Sequence, residues 1–299
     1  MPAAALSTMW MQLRFDALPP FAEAAAALGF GALELSHVVT PAMLEHLSPA
    51  ALALPVRVCH HPCPNPGGVP ELSATDPDAH ARAVAAACRT LHTAAEWGAH
   101  AVVVHAGIVP LDRRWENALR ARVLAGERET PAYTALWAQV QQERARRAET
   151  ALGAVRRALD VLVPLAERLG VRIGLETGEW VAAIPSYAEA RALLDDYPAA
   201  VLGLWVDTGH ATIVERLGGT PLRHWLQTFA PRLVGMHYHD VHGLRDHLIP
   251  GRGTIAWGEI ASLIPADALP TCEFDWYYTP AEIAEGRAFL ARHGLVDGA

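Results

Sequence analysis

Along the chain, short apolar runs alternate with longer stretches in which apolar positions recur every three or four residues. Short runs rich in Val, Leu and Ile read as buried strands, and the longer Ala/Leu/Arg/Glu stretches read as amphipathic helices. Eight runs have strand character: 7–14, 31–36, 56–60, 101–106, 172–177, 202–207, 233–239 and 270–274. Helical stretches follow at about 19–28, 41–53, 77–97, 138–169, 186–196, 221–230, 257–264 and 280–293. Gly29, Gly98 and Gly170 stand where helix C-caps are expected. Eight strand–helix pairs in alternation predict an α/β fold, a (β/α)8 TIM barrel occupying 1–299 as one domain; a doubly wound sheet is the weaker alternative. One segment breaks the rhythm. Residues 109–133, after the fourth strand, include LDRRWENALRARVLAGERET and are too long for an ordinary βα loop. This insertion is expected at the catalytic face, covering the barrel mouth or docking on a second subunit.

Composition narrows the chemistry. With 52% hydrophobic residues a large core is easily built. The chain has no lysine, all 24 basic side chains being Arg. Arg does not deprotonate, so Schiff-base catalysis is excluded, and a P-loop is excluded with it. The net charge of −8 disfavours nucleic acid and anionic lipid as partners. No apolar run is long enough to span a bilayer. The start, MPAAALSTMWMQLRF, lacks the basic n-region of a signal peptide. Four scattered cysteines, Cys59, Cys63, Cys88 and Cys272, suit reduced thiols in a cytoplasmic protein.

The candidate chemistry sits where the strands end. Read outward, six successive runs finish on His60, His105, Glu176, Asp207, His237 and Glu273. His (15) and Asp plus Glu (32) fill roughly a sixth of the 299 positions, so six such ends in a row are far from chance. The C-terminal strand ends of a barrel converge on one axis, where active sites lie. Buried charges there need partners or a metal. A divalent-metal site is the expectation.

Seven motifs in order carry a family resemblance: VCHHP (58–62), VVVHAG (102–107), GLET (174–177), VDTGHA (206–211), GMHYHD (235–240), DHLIPGRGTIAW (246–257) and CEFDW (272–276). Together they resemble the xylose isomerase-like TIM barrels, which include sugar-phosphate isomerases and epimerases and endonuclease IV. The resemblance implies that Glu176, Asp207, His237 and Glu273 hold one ion. Three carboxylates and an imidazole suit Mn²⁺, Co²⁺ or Mg²⁺ better than structural Zn²⁺. It further implies that Glu176 and Glu273 are the catalytic pair, moving a proton α to a ketose carbonyl through an enediolate. The implied substrate is a small carbohydrate: a ketose, a sugar phosphate or a related polyol.

Two other reactions fit the same motifs. A keto-polyol dehydratase would use the same metal and base. A multi-zinc phosphodiesterase related to endonuclease IV would hold up to three zinc ions, with His60, His105, His210 and His247 as further ligands. In that family an Asp stands two residues before the last His; here that position is Arg245, and Asp246 lies one residue off. His60, His105, His210, Asp246 and His247 are therefore candidates for additional metal or for substrate. His61 is the alternative to His60 if the strand register shifts by one. Trp10, Trp115 and Trp180 are expected substrate contacts, Trp115 as part of a lid. Glu34 and His37 are expected near substrate. His239 and Asp240 are expected to orient the ligands, and Cys272 to point into the outer core. The sequence leaves self-association open.

Overall fold

Eight apolar runs pair side by side, each parallel to its neighbours and in chain order, and the last hydrogen-bonds to the first. The computed structural model describes residues 2–298. Its barrel strands are β1 (Ala5–Ser7), β2 (Ala32–Leu35), β3 (Val56–His60), β4 (Ala101–Val104), β5 (Arg172–Glu176), β6 (Leu202–Asp207), β7 (Leu233–Tyr238) and β8 (Leu269–Cys272). The helices are α1 (Leu18–Ala27), α2 (Pro41–Leu44), α3 (Pro77–Glu96), α4 (Arg113–Leu124), α5 (Pro131–Leu169), α6 (Tyr187–Asp195), α7 (Thr208–Arg216), α8 (Leu222–Phe229), α9 (Trp257–Ile260) and α10 (Pro280–Arg292). Two antiparallel ribbons stand beyond the strand ends: Gly107–Ile108 with Ala183–Ile184, and Asp240–His242 with Arg245–Leu248. No helix among the described residues is long and apolar enough to cross a membrane.

Strand alternation sorts the side chains. Successive residues point to opposite faces of a strand. Cys59, Val102, Val104, Ile173, Leu175, Leu204, Val206 and Cys272 join the large core between strands and helices. Val58, Val103 and Trp205 form a separate cluster inside the barrel. Residues two further along share that inward parity: His60 after Val58, His105 after Val103, Asp207 after Trp205. The alternation that buries the plug thus also aims the polar residues at the axis.

Trp205 is the centre of the plug. Its indole is fully buried, and glycines on the flanking strands make room for it. A Cβ on Gly174 would lie 3.1 Å from the Trp205 Cβ, and one on Gly235 would collide with the ring. The imidazole of His237 stands above the indole, with ring centroids 5.2 Å apart.

Two sequence expectations are corrected. The predicted strand 7–14 is displaced: β1 ends at Ser7, whose hydroxyl accepts from the Met9 N–H and opens a 3-10 turn, Thr8–Met11. A side chain that hydrogen-bonds its own backbone competes with the sheet ladder. Leu13, read as strand, adopts φ 58 and is 89% exposed. The second correction concerns 109–133, which is largely helical. Asp112 caps α4, and Thr130 caps α5, which starts seven residues before the predicted 138. The stretches 41–53 and 257–264 each break into a short helix and a 3-10 turn.

Replacing Trp205 with Ala should cost about 3–5 kcal/mol, the range for emptying a large aromatic from a core. Gly235→Ala should cost about 1–3 kcal/mol through overpacking. Urea denaturation checks both; Gly235→Ala at wild-type stability would show that the indole has free space.

Candidate functional site

Four strands deliver the central residues. Glu176 ends β5, Asp207 ends β6, His237 lies near the end of β7, and Glu273 follows β8. All four are buried, and one ligand atom from each lies within 4.8 Å of the others. His237 Nδ1 is 2.7 Å from Glu176 Oε1, 3.3 Å from Glu273 Oε2 and 3.7 Å from Asp207 Oδ2. On its other side, His237 Nε2 donates to Glu34 Oε2 at 2.8 Å.

Local sequence fixes each orientation. Asp207 is the N-cap of α7: its Oδ1 accepts from the His210 N–H at 2.7 Å. A helix N-terminus favours an ionised carboxylate. Its Oδ2 accepts from His239 Nε2 at 2.8 Å. His239 Nδ1 accepts the His247 N–H at 2.9 Å, which leaves the ring proton on Nε2, facing Asp207. Two threonines that the sequence reading passed over hold the backbone. Thr177 accepts from the Asp207 N–H at 3.0 Å, and the Thr208 hydroxyl donates to the His239 carbonyl at 2.7 Å. Their signal was adjacency, each following a cluster carboxylate directly.

Glu176 reaches two ways. While Oε1 faces His237, Oε2 lies 3.0 Å from both His60 Nε2 and His105 Nε2. His60, not His61, is therefore the strand-end residue that joins the cluster. His61 Nδ1 donates instead to Thr90 Oγ1 at 3.1 Å. A further group forms at the N-terminal end of α7. The Thr177 carbonyl accepts from His210 Nδ1 at 3.1 Å, and His210 Nε2 is 3.8 Å from Asp246 Oδ2. His247 adopts φ 51. That left-handed residue breaks the alternation of the ribbon, so the His247 ring packs beside His210, as the His239 ring also does (centroids 5.8 Å each), while Asp246 still faces it. The Asp that stands one residue off in sequence is thus near His210 in space.

The electrostatics follow from burial. Desolvation alone would depress the His237 pKa, but the carboxylates of Glu273, Glu34 and Glu176 together raise it well above the ordinary value. Desolvation would raise Glu176, yet His105, His237 and His60 hold it well below the carboxylate range. Asp207 is lowered similarly, by His210 and His239 against burial.

The donor set fits a divalent cation. Three buried carboxylates and one imidazole converge, and two nearby buried atoms, Glu34 Oε1 and His60 Nδ1, have no hydrogen-bond partner among the described residues. A buried polar atom without a partner is costly. Glu34, His60 and Glu273 also lie within mutual ligand distance, as do His60, His105 and Glu176, and His210, His239 and His247.

Other predicted residues are placed differently. Trp10 is not at the site: it is fully buried in the outer core against Phe15 and Phe21, with its N–H donating to the Tyr278 carbonyl at 2.8 Å. Its displacement follows from the early end of β1. Trp115 packs into a small cluster with Leu119 and Tyr133 and is not on the cavity wall. Trp180 is on the wall. Glu34 lies beneath the metal-binding candidates rather than in a solvated loop, and His37 lines the cavity rim. Asp240 organises the following loop, its carboxylate accepting from the N–H groups of Val241, Gly251 and Ile255 and from Trp257 Nε1.

Above the cluster opens a cavity of about 450 Å³ with His60, His105, His210, His247 and Glu273 on its floor. Leu111, Asp112, Arg113 and Glu116 from the insertion form part of its wall.

Residues 22–293 match the family described as xylose isomerase-like TIM barrel. No curated protein matches the chain in sequence. Among solved structures, the chain is similar to 3-keto-D-glucoside 4-epimerase from E. coli, with 18% identity, TM-score 0.70, and 98% of this chain and 100% of that one covered. It is similar to D-psicose 3-epimerase crystallised with D-fructose, at 18% identity, TM-score 0.68 and full coverage of both chains. A Thermus thermophilus protein soaked with ZnCl2 matches at 23% identity and TM-score 0.61, over 97% of this chain and 99% of that one.

Glu34 fixes which His237 nitrogen faces the cluster. Removing it with Glu34→Ala should weaken divalent-metal binding by about 10–100-fold, as for other carboxylates behind a ligating histidine. Glu34→Gln, which keeps an acceptor oxygen, should retain most of the affinity. Chelator-competition titration reads both, and unchanged affinity in Glu34→Ala would remove Glu34 from this role.

Proposed function

The chain belongs to the xylose isomerase-like TIM-barrel family, and from that premise we propose that it is a divalent-metal-dependent isomerase or epimerase of a ketose, sugar phosphate or related polyol. The observation that carries the reading is the convergence of two carboxylates from well-separated strands, Glu176 and Glu273, on His237 Nδ1 beside Asp207. Glu176, Asp207, His237 and Glu273 would hold the ion, with Mn²⁺, Co²⁺ or Mg²⁺ favoured by the oxygen-rich set. When bound, the cation polarises the substrate carbonyl and stabilises the negative charge that develops as the α-proton leaves.

The protein's own groups do the rest. Glu176 and Glu273 stand on β5 and after β8, so a sugar carbon seated between them presents one face to each. One carboxylate removes the proton and the other returns it to the opposite face, inverting the centre. His210 holds its Nδ1 proton on the Thr177 carbonyl, which leaves Nε2 as an acceptor for a substrate hydroxyl. The insertion 109–133 contributes wall residues and is proposed to cover the mouth, excluding water from the developing charge. A keto-polyol dehydratase would begin with the same proton removal.

One observation favours a second reading. Glu176 Oε2 is shared by His60 and His105, and His210, Asp246 and His247 cluster at the N-terminal end of α7. That arrangement suits two or three zinc ions and hydrolysis of a phosphodiester. The net charge of −8 argues against a nucleic-acid substrate in that case.

Purified protein should bind one Mn²⁺ or Co²⁺ per chain, and Glu176→Ala or Asp207→Ala should abolish tight binding. With Mn²⁺ in D₂O, at least one ketose should acquire deuterium at a single carbon, and Glu273→Gln should stop labelling from one face. Two or three zinc ions per chain, with zinc-dependent phosphodiester cleavage and no ketose exchange, would replace the isomerase reading with the hydrolase.

A further inference from the structure

The cavity over the cluster is unevenly built. Its floor is polar, with five histidine and glutamate side chains facing up. Its outer wall is largely apolar: Ile108, Leu111, Trp180, Ala182, Ala183 and Ile184 line it, drawn from the insertion, from the loop after β5 and from the short ribbon Gly107–Ile108 with Ala183–Ile184.

Three of the four carboxylates along that wall are hydrogen-bonded inside the protein, and the fourth, Glu179, stands 3.6 Å from the Arg120 guanidinium. Glu71 accepts from the Ile108 N–H at 2.9 Å and from the Ser73 hydroxyl at 3.3 Å. Asp112 caps α4 and is held by Arg114 at 2.6 and 2.9 Å. Glu116 accepts from the Val181 N–H at 3.0 Å and pairs with Arg120 at 3.3 Å. Arg113 makes no ion pair among the described residues, and its guanidinium stands 5.2 Å from the Trp180 ring centroid. The Arg120 guanidinium lies 4.3 Å from the same ring.

A free monosaccharide carries hydroxyls on every side. Seated on this floor, it would turn some of them toward walls that offer few free partners, and an unpaired buried hydroxyl is costly. The volume of about 450 Å³ also falls in the range of roughly 300–1,000 Å³ that accommodates drug-sized ligands. We propose that the substrate is a glycoside of a keto sugar: a ring that keeps a carbonyl and its α-proton over the histidine–carboxylate floor, while its anomeric carbon carries an aromatic aglycone that packs against Trp180, Leu111, Ile108 and Ile184. An aromatic ring fills such a wall with apolar area and loses no hydrogen bonds in doing so. Trp180, pinned between the ribbon and two guanidiniums, is the specificity residue of this outer half.

The inference rests on the isomerase reading of the floor, so its test is a binding measurement that requires no turnover. Full-length Mn²⁺-loaded protein is titrated calorimetrically with phenyl and methyl D-glucopyranosides of each anomer. The phenyl glycoside of one anomer should bind at least tenfold more tightly than its methyl counterpart, a difference of 1.4 kcal/mol. Trp180→Ala and Leu111→Ala should each shrink that ratio severalfold, with metal content and melting temperature recorded for each. A ratio near one in the wild type, a ratio unmoved by both substitutions, or no binding of either glycoside overturns the proposal. Deuterium exchange into ketoses by the same preparation separates the two readings. Exchange without phenyl selectivity overturns the aromatic subsite alone. Phenyl selectivity without exchange overturns the isomerase reading and leaves the subsite standing.

Discussion

Four carboxylates, Glu34, Glu176, Asp207 and Glu273, lie almost fully out of solvent at the mouth of one barrel. Like charges that close, in a low-dielectric interior, cannot all ionise without positive charge between them. The surrounding design answers that demand. His237 sits between Glu34 and Glu176 with both ring nitrogens engaged, His105 stands against Glu176 beside His60, and His239 gives Asp207 a hydrogen bond. A cation at the centre of Glu176, Asp207, His237 and Glu273 would satisfy the same demand more completely, displacing only the proton on His237 Nδ1. His237 would then turn from counter-charge into ligand.

That cluster is held in place by the barrel's interior. Trp205 fills the axis beneath His237, and Gly174 and Gly235 admit its ring by lacking a Cβ. Asp207 lies two residues past Trp205 and Glu176 two past Gly174, so packing and chemistry share the same strand parity. A shift of one residue in β6 would turn Asp207 outward and withdraw the plug together. Register is therefore specified twice over, by apolar volume and by charge.

The sequence showed the strand ends clearly because that signal is periodic. Six of them converge in space as their parity required, and seven of the eight predicted strand runs overlap barrel strands closely. What it did not show depends on ring orientation or on short-range competition. Glu34 carries no mark of its partner, because which nitrogen of His237 faces it is settled only when both strands are in place. Asp240 reads as a neighbour of the candidate ligands, whereas its four N–H donors lie up to seventeen residues downstream. The first strand was read too far along because an apolar Trp10–Met11 pair resembles strand, while the Ser7 hydroxyl was already turning the chain. Trp10 went into the core for the same reason. Asp246 stood out of register in sequence, and the left-handed backbone at His247 brings it to His210 all the same.

Glu176 is where the two chemistries compete for the same atoms. Proton transfer at a sugar carbon needs a carboxylate oxygen with a lone pair free to accept. Hydrolysis across several ions needs both oxygens bound to cations. Oε1 belongs to the central cluster in either case, so the outcome turns on Oε2, which His60 and His105 share at 3.0 Å each. His60 is buried with its Nδ1 unpartnered, whereas the His105 side chain is 45% exposed. In the proposed isomerase, where a bound ion would relieve the need for an imidazolium there, a neutral His105 would carry a proton from Glu176 toward the cavity. If a metal ion instead occupied the nitrogens of both histidines, that path would close and Glu176 would become a bridging ligand with no base function. In the proposed isomerase His105 would thus stay unmetallated, although it lies within ligand distance of His60 and Glu176.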